Sequence, residues 1–277
     1  MELKNKVVAL TGAGSGIGQA IAFRLAEQGC HLALADIDAA ALESTVLGLK
    51  DCQGTISQHP LDIADRKAVA LFTDQVIEQH GSVDVLINNA GVALMESLEE
   101  VTYEDFEWLF GINFWGAVYA IKSFLPHLKK SHSAAIVNVL SVSGLIGFPV
   151  QSAYSASKFA IRGLSDSLSF ELKDTSVNVS CVFPGGVRTN IVKNARYYKN
   201  PDDINGEADQ AGCADRFEKA LLSPDDAAKI IVAGIRKDKK RILVGVDAKL
   251  IGFLTRYMPW LGRVFVNTFA NIGKAAK

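Results

Sequence analysis

Short, β-branched apolar runs alternate along this chain with longer stretches whose apolar residues recur every three to four positions. The first pattern marks buried strands and the second marks amphipathic helices. Runs at 6–11, 31–35, 55–59, 83–87, 135–140, 177–183 and 241–245 read as strands. A helix carried by Ile21, Ala22, Leu25 and Ala26 follows the first run, and helices are predicted over 39–49 and 64–79. A long helical stretch covers 102–130, where Phe106, Leu109, Phe110, Phe114, Ala117 and Ile121 keep helical spacing around one polar residue, Asn113. Tyr154 opens another helix, carried by Phe159, Ile161, Leu164 and Leu168. Ser223 and Pro224 start one more, as N-cap and first-turn proline. Strand and helix alternate throughout, which predicts an α/β fold. The expected form is a Rossmann-type, doubly wound parallel sheet with helices on both faces and right-handed crossovers.

The 277 residues, 49% hydrophobic and 21% charged, suit a single domain with a large core. The pattern weakens in two places. Residues 190–222 turn polar and irregular, which suggests a substrate lid. The stretch 246–277 forms a basic, apolar, helical extension to a catalytic domain of residues 1–245. From Lys249 onward it carries Arg256, Arg263, Lys274 and Lys277, no acid, and aromatics such as Phe253, Tyr257 and Trp260. Such a stretch can lie on an anionic membrane surface, or it can pack on its own domain or a partner subunit.

Net charge is −1, so nothing draws the chain to nucleic acid. The four cysteines are scattered, as in a reducing compartment, and the five histidines are dispersed without a ligand-spaced cluster, so no metal is expected. The first strand begins within a few residues of Met1, leaving no room there for a signal peptide, and the longest uncharged run, 131–157, is broken by glycines, Pro149 and serines. The expectation is a cytoplasmic protein, with peripheral membrane contact through 249–277 left open.

The candidate chemistry gathers where strands end. The first strand runs into Gly12, Gly16 and Gly18 and then a helix, the context in which backbone N–H groups can hold a pyrophosphate. Asp36 ends the second strand, about 20 residues on, where an acid can accept from ribose hydroxyls and would repel a 2′-phosphate. Neither Ser15 nor Ile37 offers a cation to that phosphate, which favours NAD(H) over NADP(H) without excluding the latter. Ser141 follows the fifth strand, and Tyr154 and Lys158 stand four apart on one helix face. A phenol beside an ammonium can act as an acid/base near neutral pH.

In this order and context, the motifs resemble the short-chain dehydrogenase/reductase family, over roughly residues 6–189. Thr11, Gly12, Gly16 and Gly18 resemble its cofactor loop, with Ser15 and Ile17 between the glycines. Asn88, Asn89, Ala90 and Gly91 match its Asn-Asn-Ala-Gly. Asn113, Ser141, Tyr154 and Lys158 match its catalytic tetrad, and Pro184-Gly185 its loop over the nicotinamide. The resemblance implies that Tyr154 is the acid/base, that Ser141 polarises the substrate oxygen, and that Lys158 binds the nicotinamide ribose and lowers the Tyr154 pKa. It implies that Asn113 holds a relay water. It also implies that Asp36 and Ile37 meet the adenosine ribose region, Asp62 and Ile63 flank the adenine, Asn89, Ala90 and Gly91 lie along the cofactor, and Val187 and Thr189 close on the carboxamide.

The expected activity interconverts an alcohol and its carbonyl. The substrate is expected to be secondary and hydrophobic, because Met95, Leu145, Ile146 and Phe148 are available to line its pocket. A homodimer through the Asn113 and Tyr154 helices is implied, with a tetramer as the alternative. The rival readings are a non-catalytic dinucleotide sensor or membrane-surface scaffold, and a nucleotide-sugar epimerase, for which the chain is too short.

Overall fold

The computed structural model describes residues 1–191, 194–197, 222–264 and 266. Most of the expected lid and the end of the C-terminal extension lie outside the described residues.

Seven parallel strands form one sheet in the order β3-β2-β1-β4-β6-β7-β9. They are β1 (Val7–Thr11), β2 (His31–Asp36), β3 (Ile56–Pro60), β4 (Val85–Asn88), β6 (Ala134–Val139), β7 (Val177–Pro184) and β9 (Arg241–Val244). The winding direction reverses at β1, between β2 and β4, and this opens a crevice beyond the strands' carboxyl ends. The Rossmann-type sheet expected from the alternating pattern is the one observed. A two-residue ladder of β5 (Leu94–Met95) and β8 (Arg196–Tyr197) stands apart from it, pairing Leu94 with Arg196.

Helices cover both faces. On one, α1 (Gly16–Glu27) and α7 (Pro224–Arg236) bury Ile21, Leu25, Ile231 and Ile235 against Leu10, Leu34 and Ile87. On the other, α3 (Arg66–His80) and α5 (Ala117–Leu128) pack Phe72 edge-on to Phe124 at 5.4 Å. Each of these rings is fully buried and contributes about 2–3 kcal/mol of burial. Helix starts are set by short polar side chains. Asp38 accepts from Ala40 and Ala41 N–H ahead of α2 (Ala39–Gly48), Asp65 does the same for α3, and Ser223 accepts from Asp226 N–H at 3.1 Å. Gly81, at φ 75°, ends α3 in the left-handed conformation.

The long helix predicted over 102–130 is one helical run in three parts. After α4 (Tyr103–Phe110) comes a π-helical segment, Gly111–Gly116, and then α5. Asn113 sits in the widened segment. π-Turns inside α-helices often mark functional positions, because the extra residue re-aims side chains. Periodicity of apolar residues does not reveal such an insertion.

The histidines are less dispersed than their sequence positions suggest. His59 and His80 both bond the Ser57 hydroxyl at 2.8 Å, and burial lowers the pKa of each. Among the described residues no group of histidine, cysteine and carboxylate side chains could hold a metal ion, and no helix is long and apolar enough to cross a membrane.

Candidate active site

The crevice end of the sheet is built first from glycine. Gly12 and Gly16 adopt positive φ (68° and 56°), which only glycine takes without strain. A side chain at Gly18 would run into the Gly12 carbonyl oxygen, so α1 packs on the loop only because that residue has none. Ser15 is the N-cap residue of α1 but makes no side-chain cap bond, which leaves the helix's first N–H groups facing the loop. Asp36, at the end of β2, accepts from Gly14 N–H at 2.7 Å and from Asp38 N–H at 3.0 Å. The neighbouring Ile37 side chain is largely exposed.

Thr11, singled out in sequence only as the start of the glycine loop, joins this loop to the next. Its buried hydroxyl accepts from both Asn89 N–H and Ala90 N–H at 3.1 Å, and the Asn89 amide returns bonds to the Thr11 and Gly12 carbonyls. Asp62 bonds Ala64 N–H in the turn after β3. The Ile63 side chain is buried, where it meets Gly116 of the π-segment.

The second half of the site lies on α6 (Ser152–Glu171) and the loop after β6. Lys158 is only 5% exposed. Its ammonium donates to the Val139 carbonyl at 3.3 Å and stands 5.6 Å from the centre of the Tyr154 ring. Ser141 lies within hydrogen-bonding reach of the Tyr154 hydroxyl, and its own oxygen accepts from Ser143 N–H at 3.1 Å. The buried Asn113 amide has partners on both its oxygen and its nitrogen, as a buried amide needs. It accepts from Val92 N–H at 2.9 Å and donates to the Val92 carbonyl and the Ser157 hydroxyl. Ser157 in turn bonds the Tyr154 carbonyl, so Asn113 ties the loop after Gly91 to the helix of Tyr154 and Lys158. A small cavity beside Lys158, lined by Thr11, Asn88, Asn113 and Asn138 among others, has about 10 Å³ of space for the centre of a water molecule.

The Lys158 ammonium is expected to lower the Tyr154 pKa, and burial acts in the opposite sense. Burial pushes Tyr154 up to about 12, against the opposing hydrogen bond from Ser141, and pushes Lys158 down to about 8. Loss of water is the largest cause of both shifts.

On the substrate side, Leu145 and Ile251 share a core cluster with Ile146 and Phe148 packed against it, so the start of the C-terminal extension, α8 (Val246–Tyr257), lies on the loop after Ser141. Arg196 pairs with the buried Asp105 carboxylate at 2.6 Å and lies 3.6 Å over the Trp108 ring. Neither this contact nor the bond from the Ser143 hydroxyl to the Gln151 side chain at 3.3 Å was visible in sequence. Their partners come from different elements, and no local pattern announces them.

Residues 6–200 match the short chain dehydrogenase family. The chain belongs to that family. This short-chain dehydrogenase is 40% identical to the Mycobacterium tuberculosis protein SadH over 259 residues, 92% of this chain and 91% of the relative. A short-chain dehydrogenase/reductase from Burkholderia phymatum, solved with NAD, superposes with a TM-score of 0.82 at 30% identity, covering 87% of this chain and 89% of that one. An alcohol dehydrogenase from Thermococcus sibiricus, solved with 5-hydroxy-NADP, gives 0.72 at 29%, covering 84% and 91%.

Proposed function

We propose that this short-chain dehydrogenase is an NAD(H)-linked enzyme that interconverts a hydrophobic secondary alcohol and its ketone, with Tyr154 as acid/base. The observation that carries this reading is the buried Lys158 next to the half-buried Tyr154, with Ser141 beside the phenol, at the end of the sheet that also holds the glycine loop.

The chain's residues fit a nicotinamide dinucleotide. The side-chain-free cradle of Gly12, Gly16 and Gly18 and the uncapped start of α1, with Ser15 and Ile17, suit its pyrophosphate. Asp36, held by two backbone N–H groups at the end of β2, supports a reading in which it accepts from the adenosine ribose and repels a 2′-phosphate. The family resemblance adds Ile37, Asp62, Ile63, Asn89, Ala90 and Gly91 along the cofactor and Pro184, Gly185, Val187 and Thr189 over the carboxamide. Relatives solved with NAD and with an NADP derivative support the cofactor class, and Asp36 is the reason to favour NAD. When bound, the nicotinamide supplies or takes up the hydride.

Within the chain, Ser141 orients the substrate oxygen and Tyr154 exchanges its proton. Lys158, nearly without solvent of its own, stabilises the phenolate once the site is filled. Asn113 holds the geometry, and the cavity beside Lys158 has space for a relay water.

The partly exposed Ile146 and Phe148 near α8 support an apolar substrate, whereas Leu145 is spent on the core beneath them. The partly exposed Trp115 and Phe159 support a homodimer. The outward-facing Leu250, Phe253, Tyr257 and Trp260, interspersed with Lys249 and Arg256, support peripheral contact with an anionic membrane. The free thiols Cys30, Cys52 and Cys181 suit a cytoplasmic setting.

The test is a panel of secondary alcohols of rising apolar size, each with NAD and NADP, on the wild type, Tyr154→Phe and Asp36→Ala. Rates should climb with apolar size, depend on NAD, and vanish in Tyr154→Phe while NADH still binds. Asp36→Ala should erode the cofactor preference about tenfold. Near-normal turnover by Tyr154→Phe would sink the mechanism, and NADH binding without turnover on any carbonyl would return the chain to a sensor.

A further inference from the structure

The first carboxylate of the C-terminal extension is not spent on that extension alone. Asp247 lies in the first turn of α8, and one of its oxygens accepts from Ala248 N–H at 2.8 Å. The other accepts from Gly186 N–H at 2.6 Å, 61 residues earlier, in the loop after β7. The carboxylate occupies a notch that two glycines create. A Cβ at Gly185 would run into both of its oxygens, and one at Gly245 (φ 105°) would run into one of them. β7 and β9 end level there, with Pro184 paired to Val244 and Gly185 N–H bonded to the Val244 carbonyl at 2.9 Å. The notch therefore sits on two strand ends, and a charged group with two fixed acceptors fills it.

The same loop reaches the cofactor cradle within three residues. Val187 is buried and bridges to Leu222, whose carbonyl accepts from Arg188 N–H at 3.0 Å. The Thr189 side chain lies 3.3 Å from where a Cβ on Gly16 would stand. The segment 185–189 thus spans from the Asp247 carboxylate at one end to the glycine loop at the other.

We propose that Asp247 is a positioning residue for dinucleotide binding, which fixes the 185–189 loop in the pose that covers the nicotinamide half of the cofactor. The inference rests on the reading of Pro184 and Gly185 as the loop over the nicotinamide. The Asp247 bond to Gly186 N–H faces solvent, so its part is to set the direction of the peptide from which the covering loop departs. The adenosine half, read at Asp36 at the end of β2, makes no use of it.

The experiment measures dissociation constants by titration calorimetry for NADH and for ADP-ribose, which lacks the nicotinamide. The proteins are the full chain, Asp247→Ala, Asp247→Asn, Gly185→Ala and the Gly185→Ala/Asp247→Ala double variant. Asp247→Ala should weaken NADH about tenfold and leave ADP-ribose within twofold of the wild type. Asp247→Asn keeps one acceptor oxygen and should fall between. Gly185→Ala alone should also weaken NADH selectively, because its methyl displaces the carboxylate, yet add little once Asp247 is already alanine. Equal losses for both ligands, unchanged NADH affinity in both Asp247 variants, or an additive double variant would overturn the role of Asp247. Should Asp247→Ala fail to fold, Asp247→Asn and Gly185→Ala still decide. A wild type that binds NADH no more tightly than ADP-ribose would instead refute the underlying reading of the loop.

Discussion

The two sides of the crevice are constructed in different ways. On the cofactor side the working parts are backbone. Gly12, Gly16 and Gly18 clear space, Thr11 bonds two N–H groups, and Asp36 is pinned by two more. On the substrate side the working parts are long side chains that meet from distant elements, as Arg196 does with Asp105 and Trp108. The first kind of site tolerates almost no added atom. The second is assembled from contacts that are individually modest, and it can change without disturbing the sheet.

The largest expected effect breaks the backbone-built side. Gly18→Ala places a methyl group in the Gly12 carbonyl oxygen and against the Asn89 amide. The helix must shift off the loop, and overpacking of this kind costs about 3 kcal/mol. Thermal unfolding should show the loss of stability, and calorimetry should show no NADH binding. Retained binding with an unchanged Tm would contradict the rigid-cradle account.

A second substitution probes the Tyr154–Lys158 pair between the two sides. Burial holds the Lys158 pKa near 8 in the folded chain, below its unfolded value, so the unfolded state binds more protons between the two. Lysine burial therefore destabilises the fold at neutral pH, and the penalty fades as pH rises through about 8 toward 10.4. Lys158→Met should raise the stability of the ligand-free protein at pH 7, by at most about 3 kcal/mol, and remove turnover. The gain should shrink as pH rises across that window in chemical denaturation series. A gain that stays constant with pH would show that Lys158 is not carrying a buried charge. The raised Tyr154 pKa works the other way. The unfolded chain loses the phenol proton first, so stability should fall between about pH 10 and 12.

The smallest effect belongs to the side-chain-built region. Arg196→Ala removes a half-exposed guanidinium from the Asp105 carboxylate and the Trp108 ring. About 1 kcal/mol is at stake, since one partner is exposed to water. The KM for a bulky alcohol should rise several-fold with kcat and NADH affinity nearly unchanged. A matching loss of NADH affinity would show that the two sides are not separable.

Much of the sheet was legible because each strand carries its own signal. Buried parallel strands need apolar residues on both faces, and runs such as 83–87 and 177–183 have them. Ser223 was readable as a cap because capping is satisfied within three residues. The candidate residues were legible as types at spacings, but their electrostatics were not. Nothing in a Tyr and a Lys four apart says how much water either loses, and that loss is what raises the Tyr154 pKa.

The order and type of the main-sheet strands and their covering helices, the glycine positions and the placement of Ser141, Tyr154 and Lys158 on their elements were determined by sequence alone, because they depend on interactions within a few residues. The tertiary structure alone decided the π-segment that holds Asn113, the meeting of His59 and His80 at Ser57, the Arg196 contact and the Asp247 carboxylate on the Gly186 N–H. Each of these joins groups far apart in the chain or depends on burial, and both are properties of the packed molecule rather than of any window of residues.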